Sequence, residues 1–296
     1  MNTHRFPILF PLVLLLLVAG CNRSAAPVPQ TGSLARFLLF YYRAPDPNRA
    51  MAVVPALSEC IAADPEKSFS LTEAFCRGFY AGAVATSPER AGDWRALCNG
   101  QTPGWLRSAV DIGLAVPEER AKSLEVPPEA MTSEAYNFLW GWFLATGDPA
   151  IPRRLIRYAA LGDGDASSDT YPPQLVRNSL AMQAYVHPAI KEELNAFARE
   201  ASEEELANYF IPHPEWVGGG CFPDGFTDKV VVYGASDDDF KPFFAHIEDS
   251  VGPLLESDAF DRVMQAILAN PDALERAMHD AISAAHREAY LDDAAP

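Results

Sequence analysis

The chain is short of positive charge: 23 lysines and arginines stand against 40 aspartates and glutamates over 296 residues, a formal net charge of −17. A surface of that sign repels phosphate backbones, which excludes a nucleic-acid partner. The fingerprints of common chemistries are also missing. There is no phosphate-binding P-loop, no dinucleotide glycine pattern, no Gly-x-Ser-x-Gly elbow and no His-Glu-x-x-His pair. Hence no cofactor and no metal is expected. Strand-like text is scarce, with KVVVYG from Lys229 to Gly234 the one convincing run, and one strand makes no sheet. After residue 20 no apolar stretch approaches the roughly 18 residues that mark a membrane span.

Two near-misses for cation binding are set aside on chemistry. Asp163 to Gln174 places oxygens at Asp163, Asp165, Ser167 and Asp169, as a calcium loop does. Its sixth position is Ser168 where the sharp turn needs Gly, and its twelfth is Gln174 where a bidentate Glu belongs. The stretch is read as a solvated turn in which Thr170 caps the next helix. His279 and His286 lie seven apart on one helix face, about 10 Å along its axis, too far for one ion.

What is present begins at the N-terminus. Arg5 is followed by the apolar run FPILFPLVLLLLVAG, which ends on Cys21, and no acidic residue occurs before it. That is the layout of a signal peptide, and with Pro7 and Pro11 inside, the run falls short of the roughly 20 residues of a spanning helix. The following NRSAAPVPQTGS is a polar, Pro-rich tether with little to bury.

Val18, Ala19, Gly20 and Cys21 resemble the lipobox of bacterial lipoproteins. The resemblance implies cleavage before Cys21 and lipidation of that cysteine, leaving a mature chain anchored in the cell envelope; loss of Arg5 would take its charge to −18. Asn22 stands where an aspartate would resemble the inner-membrane retention signal, so the implied address is the outer membrane, facing the periplasm.

From residue 34 to 210 the text reads as helix after helix, and an all-α fold is expected: helical hairpins packed in a bundle or short solenoid-like array. Leu34, Phe37, Leu38 and Tyr41 fall at helical spacing. Ser70 with Glu73, and Ser202 with Glu205, form capping-box patterns. Pro47, Pro88, Pro149 and Pro188 suit first helical positions, where the missing amide has no partner to lose. FLLFYYRAPDPNRAMAVV from Phe37 is echoed about 100 residues later by FLWGWFLATGDPAIPRRLI from Phe138. In both, an aromatic helix is followed by Asp-Pro, with Asp46 and Asp148 placed to cap a second helix folded back on the first. A weaker version surrounds His187-Pro188. The period is too long for tetratricopeptide or ankyrin arrays. Trp94, and the unit Trp140, Trp142, Phe143, Thr146, Gly147 and Asp148, resemble uncharacterised bacterial helical lipoproteins, a likeness that implies no activity.

The expected organisation is therefore a signal peptide over 1–20, a lipidated tether over 21–33, a helical-hairpin domain over 34–210, and a Gly/Pro-rich loop with C-terminal helices over 211–296 packed on the same core. The loop from Ile211 to Lys229 is where a site is sought, with His213, Trp216 and Cys221 as its candidates. Cys60, Cys76, Cys98 and Cys221 remain after Cys21, an even number for a compartment where disulfides persist. A hairpin centred near residue 87 sets Cys76 opposite Cys98, whereas Cys60 falls about a helical turn out of register with Cys76. Cys60 with Cys221 then follows by elimination. The function expected is that of a membrane-anchored envelope lipoprotein that binds or scaffolds a protein partner. The alternative is a hydrolase-like enzyme using Cys221 as thiol and His213 as base.

Overall fold

The structure, a computed structural model, describes residues 31–63, 72–98, 102–161, 170–210 and 251–269. Among these are twelve α-helices, four short 3-10 turns and no strand. The protein is all-α, with helices packed on helices, as the periodicity indicates. The KVVVYG run lies outside the described residues.

The chain divides into two compact units. The first runs through Pro152 and also takes in Tyr171; the second begins at Arg153. The first holds α1 (Thr31–Leu39), α2 (Pro47–Ala63), α3 (Glu73–Ala85), α4 (Ala91–Leu97), α5 (Gly104–Leu114), α6 (Pro117–Leu124) and α7 (Ser133–Thr146). Helix α8 (Ala150–Ala159) contains the division. The second unit holds α9 (Pro173–Ala184), α10 (Pro188–Glu200), α11 (Glu203–Phe210) and α12 (Ser257–Leu268).

Helix α3 is the axis of the first unit, lying against α7 and α5. Its residues from Ala74 to Val84 are buried except Arg77, and α7 is buried from Tyr136 to Ala145. A helix that is apolar on every side has no solvent face and belongs inside. Glycine sets how closely the two approach. A Cβ on Gly78 would lie 2.0 Å from the Phe138 carbonyl oxygen, and one on Gly141 would lie 2.2 Å from that of Phe75. Backbone therefore meets backbone, and aromatic rings fill the space on either side. Tyr41 meets Phe79 edge-on at 5.1 Å, and Tyr80 meets Trp105 at 5.4 Å. Such ring pairs contribute about 0.5–1.5 kcal/mol each beyond their buried area.

The helix ends follow the sequence with some displacement. Asp46 Oδ1 accepts the Arg49 amide and Asp148 Oδ1 the Ala150 amide, each at 3.0 Å, so both Asp-Pro caps form. Gly147, at φ +68°, ends α7 in the left-handed conformation that favours glycine. Ser202 and Glu205 make the full reciprocal box, the Ser202 amide reaching the carboxylate at 2.8 Å and the Glu205 amide reaching the hydroxyl at 3.2 Å. The start of α3 is different: Thr72, not Ser70, caps it, accepting from the Phe75 amide at 3.0 Å. Nor does Thr170 cap α9, which begins at Pro173 behind Pro172 while the Tyr171 amide bonds the Met131 carbonyl.

The breaks at Asp-Pro do not decide which helices pair. Helix α1 packs on α7, and α2 on α3, so long-range contacts take the place of the expected fold-back at Pro47. The junction at His187-Pro188 does join packed neighbours, α9 and α10. In the second unit α12 lies against α11 and α10.

Candidate functional site

Of the residues singled out from the sequence, Cys21, His213, Trp216 and Cys221 lie outside the described residues. The described thiols are Cys60, Cys76 and Cys98, and no two of them are at disulfide distance. The expected Cys76–Cys98 bond is corrected by the packing. Helix α4 has only seven residues, about 10 Å of length, and lies on the preceding Pro88–Arg90 turn and on α5, so it does not run back along α3. Cys98 caps its end beside Arg107 and Asp111 of α5. Cys76 is buried in α3, where Cys60 is its neighbour. Burial above all, then Cys60 and Glu73, push the Cys76 thiol far up, which keeps it protonated and inert. The Cys60–Cys221 pairing involves a residue outside the described set.

A groove of about 420 Å³ opens in the first unit between α2 and the segment from α4 to α5. Met51, Val54, Pro55, Leu97, Pro103 and Leu106 form its apolar wall. Ser58 and Thr102 supply the hydroxyls there, and each donates to a backbone carbonyl, Ser58 to Val54 at 2.9 Å and Thr102 to Leu97 at 2.8 Å. With those protons committed, the hydroxyls present only acceptor lone pairs to a ligand. Pro55 sits inside α2 and has no N–H, so the α-helical bond to the Met51 carbonyl is not made. None of the described lining residues is ionisable. This wall suits apolar groups that carry an N–H or O–H donor, and it holds no nucleophile, acid or base.

Sequence reasoning missed this groove. Its one advance signal is Pro55, a proline in a helix interior; Leu97 and Leu106 reach it only because α4 and α5 turn over α2. Among the described residues no group of three or more His, Cys, Asp or Glu side chains is placed to hold a metal ion. No described helix is long and apolar enough to cross a membrane.

The second unit concentrates buried polar groups. Arg177 is 2% exposed, and its Nη1 donates to the carbonyls of Ala159 and Asn208, both at 2.9 Å, at the last turns of α8 and α11. A cation is favoured there because helix C-termini carry partial negative charge. Arg153 grips Glu193 through two bonds of 2.7 and 2.9 Å. Asn195 donates to the Leu254 carbonyl at 3.2 Å and accepts the Glu256 amide at 2.6 Å. Each of these bonds ends on backbone or on a partner of opposite charge, the pattern of a structural fastening. Comparison with known protein families, with curated proteins and with solved structures finds no match.

Proposed function

We propose that this chain is an envelope lipoprotein, anchored through Cys21 in the outer membrane and facing the periplasm, that binds or scaffolds a protein partner. The observation that carries the binding role is the apolar groove beside α2, whose described wall has no ionisable side chain. An exposed apolar surface of this kind favours protein recognition over bond-breaking chemistry. The tether between Cys21 and α1 supports the anchoring, since it gives the folded part freedom to meet partners near the bilayer.

A photo-crosslinking amino acid at Ala52, an exposed position on the rim, tests the groove in intact cells. The expected result is one discrete protein adduct, absent when the same group replaces exposed Val116 and lost on Leu106→Glu in protein whose helicity is retained. Adducts that survive Leu106→Glu in folded protein, or that match those from position 116, would refute the groove. Metabolic labelling with palmitate tests the anchor: Cys21→Ala abolishes incorporation, and equal labelling of that variant would refute lipidation.

A further inference from the structure

The net charge of this protein argues against contact with anionic lipid, yet its sign is unevenly distributed. No acidic residue occurs before Asp46, while Arg5, Arg23, Arg36 and Arg43 precede it; the remaining chain carries 19 basic and 40 acidic residues. Arg36, Arg43, Ala44 and Pro45 are exposed in the structure, and Phe40, Tyr42 and Arg49 are half-buried beside them. The Arg43 guanidinium lies 4.9 Å from the Phe40 ring centre and 5.6 Å from that of Tyr42, and its Nε donates to the Tyr42 hydroxyl at 3.0 Å. Arg49 lies 4.5 Å from the Phe37 ring centre. The patch rests on a rigid support: Tyr42 packs 5.9 Å from Phe143 of α7 and against the turn at Gly147.

Among the described residues two carboxylates, Asp46 and Glu89, lie close enough to act on Tyr41 of this edge. Asp46 is bound to the N-terminus of α2 through the Arg49 amide, where the helix dipole favours its charge. Glu89 lies on the Pro88–Arg90 turn, where Arg90 bonds Asn48 at 2.8 Å and pairs with Asp93; set against the three arginines, Asp46 and Glu89 still leave the edge positive. Arginines stacked on aromatic rings suit a water–lipid boundary, because the rings enter the interface while the guanidinium groups meet phosphate. Resting on the anchoring read for Cys21, Thr31 lies ten residues further along the tether, a span of at most about 35 Å. That reach keeps α1 near the bilayer, and a local positive edge can face it without repulsion.

We propose that the edge formed by Arg36, Phe40, Tyr42, Arg43 and Arg49 is a membrane-contact surface that seats on anionic phospholipid headgroups and orients the first unit. The lipid chain supplies attachment; this edge selects which side of the first unit faces the membrane. Each arginine near an anionic surface strengthens association about fivefold.

The test uses the full, processed protein in vesicles of phosphatidylethanolamine with phosphatidylglycerol, against vesicles with phosphatidylcholine in its place. A photo-crosslinking residue at Ala44 reports lipid contact, and the same residue at Val116 is the control. The expected outcome is a phospholipid adduct at 44, weak at 116, dependent on phosphatidylglycerol, and reduced more than tenfold by Arg36→Gln with Arg43→Gln while helicity is unchanged. Equal adducts at the two positions, adducts indifferent to phosphatidylglycerol or to the arginine changes, or none at 44, would each overturn the proposal. Palmitate labelling of the same sample separates the two readings: labelled protein without lipid adduct at 44 refutes the surface alone, and unlabelled protein refutes the anchor alone.

Discussion

Helix α3 in the first unit and helix α10 in the second face the same packing problem and meet it with different chemistry. Helix α3 has almost no solvent face, contacts α7 through glycine, and sends one phenol, Tyr80, 2.7 Å to the Ala50 carbonyl of α2. Helix α10 is buried on one face only, and its polar residues reach the segment that begins α12: Lys191 bonds Pro253, Asn195 bonds Leu254 and Glu256, and Arg199 pairs with Glu256 and Asp258. The first arrangement depends mainly on shape, with one exposed ion pair, Arg77 to Glu134 at 2.6 Å, joining α3 to α7; the second depends more heavily on charged and polar bonds that acid and salt weaken.

The largest effect should come from a single added methyl where α3 crosses α7. Gly141→Ala places a Cβ against the Phe75 carbonyl oxygen, a backbone group with no side-chain freedom to yield, so a loss of about 4 kcal/mol is expected in chemical denaturation. A loss under about 1 kcal/mol would mean that this crossing is looser than described.

In the second unit the corresponding weak point is Arg177. Arg177→Met keeps the length of the side chain but strips two buried carbonyls of a charged donor, and should cost about 3 kcal/mol. Hydrogen exchange should rise first at the ends of α8 and α11. An unchanged exchange pattern would show that the guanidinium does not fasten them.

A smaller loss, about 1 kcal/mol, is expected for Tyr80→Phe, which removes the bond to Ala50 and retains the ring. Its exchange signature should appear in α2, and a neutral result would place the holding of α2 wholly in apolar contact.

The gentlest perturbation is pH, and it distinguishes the units. Hydrogen bonds from Ser202 hold the Glu205 carboxyl below its usual value, and Arg199 does the same for Asp258. A carboxylate with a depressed folded pKa stabilises above its unfolded value near 4, and that contribution fades as pH falls toward the folded pKa. Burial instead pushes Tyr41 and Tyr171 in the first unit up to about 12, with Asp46 and Glu89 adding to the effect on Tyr41. Those phenols stay protonated in the fold while the unfolded chain ionises above about pH 10, so their burial turns against stability in alkali. In a Trp216→Phe background the remaining tryptophans, at 94, 105, 140 and 142, all report the first unit. Acid should reduce far-ultraviolet helicity before it changes their fluorescence, and Glu205→Gln should flatten the acid limb by less than about 1 kcal/mol. Coincident transitions would show that the units do not differ in this way.

Local chemistry determined the helices. Period 3.6 gave Leu34, Phe37, Leu38 and Tyr41 as one buried face, and all four are buried. Asp46 and Asp148 cap as their side-chain reach requires, and Ser202 with Glu205 closes its box, because each interaction spans only two or three residues. Partner choice was not local. Whether α4 lies along α3 depends on its length and on what α5 covers, so the register that joined Cys76 to Cys98 gave way to helix packing. The groove likewise draws on α2 and on residues about forty positions later, which no periodic pattern links. The division inside α8 separates neighbours in one helix, which sequence spacing cannot foresee. Caps and periodicity act over one turn of chain and can be read along it; shape complementarity between distant helices arises only once all of them compete for the same interior.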